Sequence, residues 1–190
     1  MSIGFRICTR HQTASKELVE AFAKLPVANV SDSMWRLYAG GSRLRPMHAS
    51  GGMAGVALTV RSRPGDNLML HKAIDMAGPG DVIVVDAGGD LTNALIGEMM
   101  LAHAIKRGVA GFVIDGAISL DGMPVEPGDI MIGDGDGVLA VPQAHAEEIL
   151  NKAQAKLDAE TKQMKAIAEG TNDRSWVDAA LKERGCEFPQ

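Results

Sequence analysis

Three carboxylates, three glycines and the opening of a helix lie close together in the middle of this chain, in the run Asp86-Ala87-Gly88-Gly89-Asp90 and, after six residues, Gly97-Glu98-Met99-Met100. The first-turn amides of a helix have no partner within it, so a helix opening at Gly97 leaves the N–H groups of Glu98, Met99 and Met100 free to hold a carboxylate or phosphate. A helix opening earlier, at Thr92, would bury the same amides in its ladder. The pattern supports either start. Glu98, among small and apolar residues, could hold or relay a proton if its surroundings favoured the protonated form, or could simply complement the helix dipole.

The elements that would position these groups are legible around them. PGDVIVVD carries a tight turn into a run too short and too continuously apolar to be anything but a buried strand. A helix ending near Arg107-Gly108 and then FVID at 112–115 complete a β-α-β unit with parallel strands. Asp86-Ala87-Gly88-Gly89-Asp90 and Asp115-Gly116 then emerge at one sheet edge, beyond the carboxyl ends of the strands, where open α/β sheets bind ligands. GVALTVRS at 55–62 is a further strand, followed by a helix over 67–77. Arg61 and Arg63 on that strand could attract an anion, although a solvated strand edge explains them as well.

Upstream, Ser15 caps a helix predicted over 16–25 and ended by Pro26, and a second short helix is predicted from Asp32 to Tyr38, stopped by Gly40-Gly41. Downstream, strands at 129–132 and 138–141 flank the turn-rich Gly133-Asp134-Gly135-Asp136-Gly137, which is hairpin chemistry rather than a calcium loop, for it lacks the acid at the twelfth position. A long helix over 143–168 carries Ile149, Ala153, Leu157, Met164 and Ile167 on one stripe, with Glu148/Lys152 and Lys156/Glu160 as ion pairs one turn apart. A last helix is predicted over 174–184. The expected division is a domain at 1–142 and a helical tail at 143–190 that forms an oligomer contact.

Composition excludes several functions. The 190 residues include 24 acidic and 19 basic side chains, a net charge of −5, and only seven aromatic residues, so no direct nucleic-acid partner is expected. Cys8 and Cys186 lie far apart, and the five histidines (His11, His48, His71, His103 and His145) have no metal-ligand spacing. His71 and His103 are expected to cap or pack against helices, and the 11 methionines to fill the core. No leader or membrane span is apparent, and a cytoplasmic location is expected. No G-x-S-x-G elbow, P-loop or strand-linked G-x-G-x-x-G is present, which removes the main support for hydrolase, kinase and dehydrogenase readings.

Several long motifs in the same order resemble the RraA-like family, which includes class II pyruvate aldolases acting on 4-hydroxy-4-methyl-2-oxoglutarate and 4-carboxy-4-hydroxy-2-oxoadipate. They are VSDSM, GDNLMLHKAID, PGDVIVVDAGGD, ALIGEMM, RGVAGFVIDGAI and V-x-PGDIMIGDGDGV-x-VP. The resemblance implies a three-layer β/β/α swivelling-domain-like α+β fold and a homotrimer or homohexamer with sites between subunits. It also implies a small 2-oxo acid substrate and a divalent cation such as Mg2+ as cofactor. The amides of Gly97, Glu98, Met99 and Met100 match the family's pyruvate-carboxylate cradle, Glu98 matches its first catalytic carboxylate, and Glu160 is a guess for an acid lent by a neighbouring subunit.

The family's Arg-Asp signature, twenty residues on, falls by count on Ser119 and Leu120, neither of which can clamp a carboxylate bidentately or ligate magnesium. Since SLDGMPVEPGD resembles a later family segment, a few tens of residues that carry Arg-Asp are absent between Ile118 and Ser119. Either the protein lacks them, or the 190 residues are part of a longer chain. The activity implied is retro-aldol cleavage or oxaloacetate decarboxylation; the alternative is a catalytically silent protein of the ribonuclease-regulator type. No nucleotide-type cofactor loop supports the older methyltransferase label of the family.

Overall fold

The computed structural model describes residues 6–10, 13–41, 44, 46–90, 93–115 and 125–175, and divides into two compact units, Met1–Gln154 and Ala155–Gln190. The first unit is built on one five-stranded mixed sheet. Its strands are β1 (Met53–Arg61), β2 (Asp81–Asp86), β3 (Gly111–Asp115), β4 (Ile130–Asp134) and β5 (Gly137–Val141), in spatial order β3-β2-β1-β4-β5. The α+β class expected from the sequence is what forms.

β2 takes the middle of the parallel half because its β-branched run can be buried on both faces, and Val82, Ile83, Val84 and Val85 are all enclosed. It pairs in parallel with β1, Val56 opposite Asp81 through Arg61 opposite Asp86, and with β3, Val82 opposite Gly111 through Asp86 opposite Asp115. Two helices lie on one face, α3 (Leu68–Met76) and α4 (Glu98–Lys106). Leu70, Ala73 and Ile74 of α3 and Met100 and Ala104 of α4 meet Val60, Ile83 and Val85 in a single buried cluster. The alanines at the contact allow close approach to the sheet. Truncating the fully buried Ile83 to alanine would cost about 2–5 kcal/mol by loss of burial and by the cavity left behind.

The antiparallel half attaches through β4, which pairs with β1 and then with β5, and the hairpin closes on Gly135-Asp136. The turn is thus two residues rather than five, since Gly133 and Asp134 continue the ladder. The outer edge of β5 is covered: Gly40 N–H donates to Val138 O at 2.6 Å and Ala140 N–H to Tyr38 O at 3.1 Å.

Helix α1 (Lys16–Phe22) opens as predicted, Ser15 Oγ accepting from Leu18 N–H at 3.3 Å, but stops one turn short of Pro26. The next helix is displaced from its predicted place. α2 (Val27–Ser33) begins immediately after Pro26 and is over before Tyr38. Proline's fixed φ suits a helix start as well as a stop. The Asp134 carboxylate, 107 residues away, accepts from Val27 N–H at 2.9 Å, a tertiary contact that local pattern does not show. Residues 34–38 are turns, with Trp35 and Arg36 both left-handed (φ 56° and 61°).

A 3-10 turn, Gln143–His145, leads into α5 (Ala146–Ala168). Ala146, Ile149 and Ala153 of its first turns are buried in the first unit. Within the second unit, Met164 and Ile167 are exposed and Lys156 pairs with Glu160 at 3.2 Å. The other predicted pair, Lys152 with Glu148, closes at 2.6 Å. Met34, Met100 and Met131 are core residues, but Met47, Met76, Met99 and Met164 are exposed, so methionine is not only core filler here. Most of the helix predicted over 174–184 lies outside the described residues. Among the described residues no helix is long and apolar enough to cross a membrane.

Candidate functional site

Helix α4 starts at Glu98, the later of the two openings the sequence allows. Gly97 is its N-cap in extended conformation (φ −121°, ψ 173°), and a glycine offers no side chain to satisfy the first turn. The ladder begins with Leu101 N–H donating to Gly97 O at 3.0 Å, so the amides of Glu98, Met99 and Met100 precede it. Together with the positive end of the helix dipole they make a place for an anion. Glu98 and Met99 are exposed, while Met100 is buried. The apolar setting expected for Glu98 is therefore absent: the nearby apolar residues Leu95 and Met100 turn into the core, and Glu98 itself is left exposed.

Two loops bring the carboxyl edge of the parallel strands to this helix start. Ser62 N–H donates to Asp86 O at 2.8 Å and extends the β1–β2 ladder by one step. Ser62 Oγ then donates to Asp66 O, and Asp66 Oδ1 accepts from Leu68 N–H at 2.9 Å to cap α3. That bond, and next the Arg63 guanidinium 2.7 Å from Asp66 Oδ2, hold the Asp66 carboxyl below its usual range. Gly65 is left-handed (φ 73°), and a Cβ there would come 2.7 Å from Asn93 Nδ2 and 3.3 Å from Asp90 Oδ2. Only glycine lets the two loops touch in this way. On the β2 side, Asp86 Oδ1 accepts from Gly88 N–H at 3.2 Å, and Asn93 Nδ2 donates to Asp90 Oδ2 at 3.4 Å.

From sequence Asn67 is only the first residue of the helix expected over 67–77, whereas α3 begins one residue later. Its neighbour Asp66 does the capping, and the Asn67 carboxamide turns instead to the first turn of α4, Nδ2 lying 3.8 Å from Met100 Sδ. Arg61 ends β1, is 78% exposed, and holds its Nε 3.7 Å from Asp86 Oδ2. Of the two histidines expected to pack, His103 stands 3.7 Å from Asp75. Ser119, Leu120 and Asp121 lie outside the described residues. Among the described residues no group of three or more His, Cys, Asp or Glu side chains could hold a metal ion. A cleft of about 310 Å³ lies elsewhere, between α2 and the β4–β5 hairpin, lined by Ser31, Asp32, Arg36, Gly40, Asp136 and Val138, and no expected site residue borders it.

A family model described as "RraA-like: Aldolase/RraA" matches residues 27–119. A curated relative from Halalkalibacterium halodurans, named "Putative 4-hydroxy-4-methyl-2-oxoglutarate aldolase", is 32% identical over 191 residues, covering 82% of this chain and 91% of the relative. The chain belongs to the RraA-like family. The alignment to that relative is 191 positions long but takes up only 82% of 190 residues, about 156, so about 35 positions of the RraA-like relative face no residue here. The family model, for its part, stops matching at residue 119, one residue after the break expected between Ile118 and Ser119.

Two solved structures share the RraA-like fold. An uncharacterized protein from Pseudomonas syringae pv. tomato superposes with a TM-score of 0.69 at 23% identity, covering 86% of this chain and 94% of that one. Streptomyces coelicolor RraAS2, described as an unusual member of the RNase ES inhibitor RraA family, gives 0.68 at 20% identity, covering 80% and 97%.

Proposed function

We propose that this RraA-like protein binds a small pyruvate-derived 2-oxo acid by its carboxylate at the start of α4, with the site completed in a homotrimer or homohexamer. The observation that carries the reading is a glycine-capped helix whose three leading amides stand at the carboxyl edge of parallel strands. The Asn67 carboxamide, beside the same turn, supplies a further donor. In this reading Glu98, exposed at the helix start, passes a proton through water to or from a bound enolate.

The chemistry of aldolase-type relatives, retro-aldol cleavage or oxaloacetate decarboxylation, leaves a pyruvate enolate that must be stabilised electrostatically. The family resemblance implies a divalent cation for that stabilisation. Among the described residues the donors do not fit such an ion: no group of three or more could hold it, Asp86 is engaged by Gly88 N–H and Asp90 by Asn93, and the 190 residues contain no Arg-Asp pair. We therefore assign retained binding and negligible turnover to the chain as it stands. A calorimetric titration with pyruvate tests this, comparing the protein with Met99→Pro, which deletes one leading amide at a first-turn position that contributes no ladder bond. Binding that Met99→Pro weakens severalfold is expected. No binding by the unaltered protein would overturn the reading and leave the silent regulator.

A further inference from the structure

We propose that the outer edge of β3 is an interface at which a second copy of this chain adds its own β3 antiparallel, joining the two sheets across a two-fold axis. The two edges of the five-stranded sheet are finished differently. The β5 edge is covered by residues 38–40, through Gly40 N–H on Val138 O and Ala140 N–H on Tyr38 O. Among the described residues β3 pairs only with β2, so its other edge presents unpaired N–H and C=O groups, a template for a further strand. Gly111-Phe112-Val113-Ile114-Asp115 also carries none of the lysine, arginine or proline that blunts such edges. The family model stops matching at residue 119, four residues beyond β3, and the break in the family's motifs falls there too, so the chain is shortened just where this strand ends.

A second copy fits this edge because the strand is complementary to itself. With the axis at Val113, Phe112 of each copy lies opposite Ile114 of the other, and Gly111 opposite Asp115. Phe112 and Ile114 are half-buried and both pack against the cluster under α3 and α4, so two aromatic–β-branched cross-strand pairs close over what those side chains still expose. Opposite residues of an antiparallel pair share a face, so the helices of both copies stand on the same side of the joined sheet. Leu101 and Ile105, exposed one turn apart on the helix that leads into β3, offer the second copy's α4 an apolar surface. Val113, between Phe112 and Ile114, faces the other side. The pairing by itself makes a dimer, and it makes a hexamer of a trimer.

Cross-linking of the full chain reads the register directly. With Cys8→Ser and Cys186→Ser in place, Val113→Cys sets two thiols opposite each other at the axis, at the Cα separation of about 4.5–5.5 Å that an antiparallel pair gives and a disulfide accepts. Mild oxidation is expected to give a covalent dimer on a non-reducing gel, and Thr59→Cys, on the middle strand β1, is expected to give none. In light scattering at micromolar concentration, Ile114→Lys, which sets a charge against Phe112 of the other copy, is expected to halve the mass of the assembly. Because Ile114 also packs on the core, Ile105→Lys, at a position 67% exposed, is the second variant, with the same loss of mass expected and an unchanged circular dichroism spectrum. An unaltered chain that is a trimer or a monomer, a folded Val113→Cys that stays unlinked, or a mass that neither variant changes overturns the proposal. The anion site is judged apart from it: pyruvate binding that Met99→Pro weakens, without any cross-link, leaves that site standing, and a cross-linked dimer that binds no pyruvate leaves only the interface.

Discussion

Arg10 and Asp81, 71 residues apart in sequence, form a two-pronged pair in which Nη1 meets Oδ1 and Nη2 meets Oδ2, each at 2.9 Å. Asp81 is buried at the head of β2 and accepts a further bond from Gly78 N–H at 2.8 Å, so it sets the turn into that strand while it anchors Arg10. Removing the guanidinium leaves a buried carboxylate with one partner. Arg10→Ala is expected to destabilise the protein by about 2–3 kcal/mol, less than for a wholly buried pair because Arg10 is partly exposed. Urea denaturation measures it, and Arg10→Lys should recover little, a point charge being unable to bridge both oxygens.

Catalysis is expected to be negligible. With no Arg-Asp pair in the 190 residues, two electrostatic groups are missing, and each such loss typically costs about a hundredfold or more in rate. A coupled pyruvate assay with oxaloacetate and magnesium should therefore show no turnover above the spontaneous rate. Robust turnover that EDTA abolishes would mean that another acid, Asp115 or Asp121, has taken over the metal.

Asp129 provides a pH signature. Burial pushes its carboxyl above the usual 3.8, against the opposing pull of bonds from Glu126 N–H at 2.9 Å and Gln143 N–H at 3.1 Å. A carboxyl whose folded-state pKa is raised binds its proton more readily in the folded chain, so its contribution to stability falls as pH rises from 3.8 through the folded value and is constant above it. Asp129→Asn removes that slope. Thermal melts of the two proteins across this window should differ in their pH dependence, and parallel curves would refute the shift.

The protein is expected to assemble as a trimer or hexamer. Met164 and Ile167 of α5 are exposed on a stripe that needs a partner surface. Multi-angle light scattering at micromolar concentration checks this, and a monomer would count against it.

The parallel half of the fold was legible because its signals are local: VIVVD has one sensible fate, and the Pro79-Gly80-Asp81 turn marks where it begins. α2 was misplaced because its cap is Asp134, a residue brought there by the hairpin. At the candidate site the helix start could be narrowed to two positions, and choosing between them needed the backbone at Gly97. Asn67 carries no local signal because the residue it meets, Met100, is 33 positions away, and the exposure of Glu98 has none because small apolar neighbours in sequence do not decide what encloses a side chain.

β4 attaches antiparallel to β1 rather than to β3, so among the described residues no ladder joins the two strands that flank the junction between Asp115 and Ile130. That junction is a tolerant splice point. Fourteen residues, 116–129, separate the two strands, and adding about 35 more would raise the entropy of loop closure by only about 1 kcal/mol, since each doubling of length costs about 0.6 kcal/mol. Transplanting the corresponding stretch of an aldolase-type relative into this junction therefore leaves each ladder in register, and makes the chain a ready recipient for restoring Arg-Asp by design.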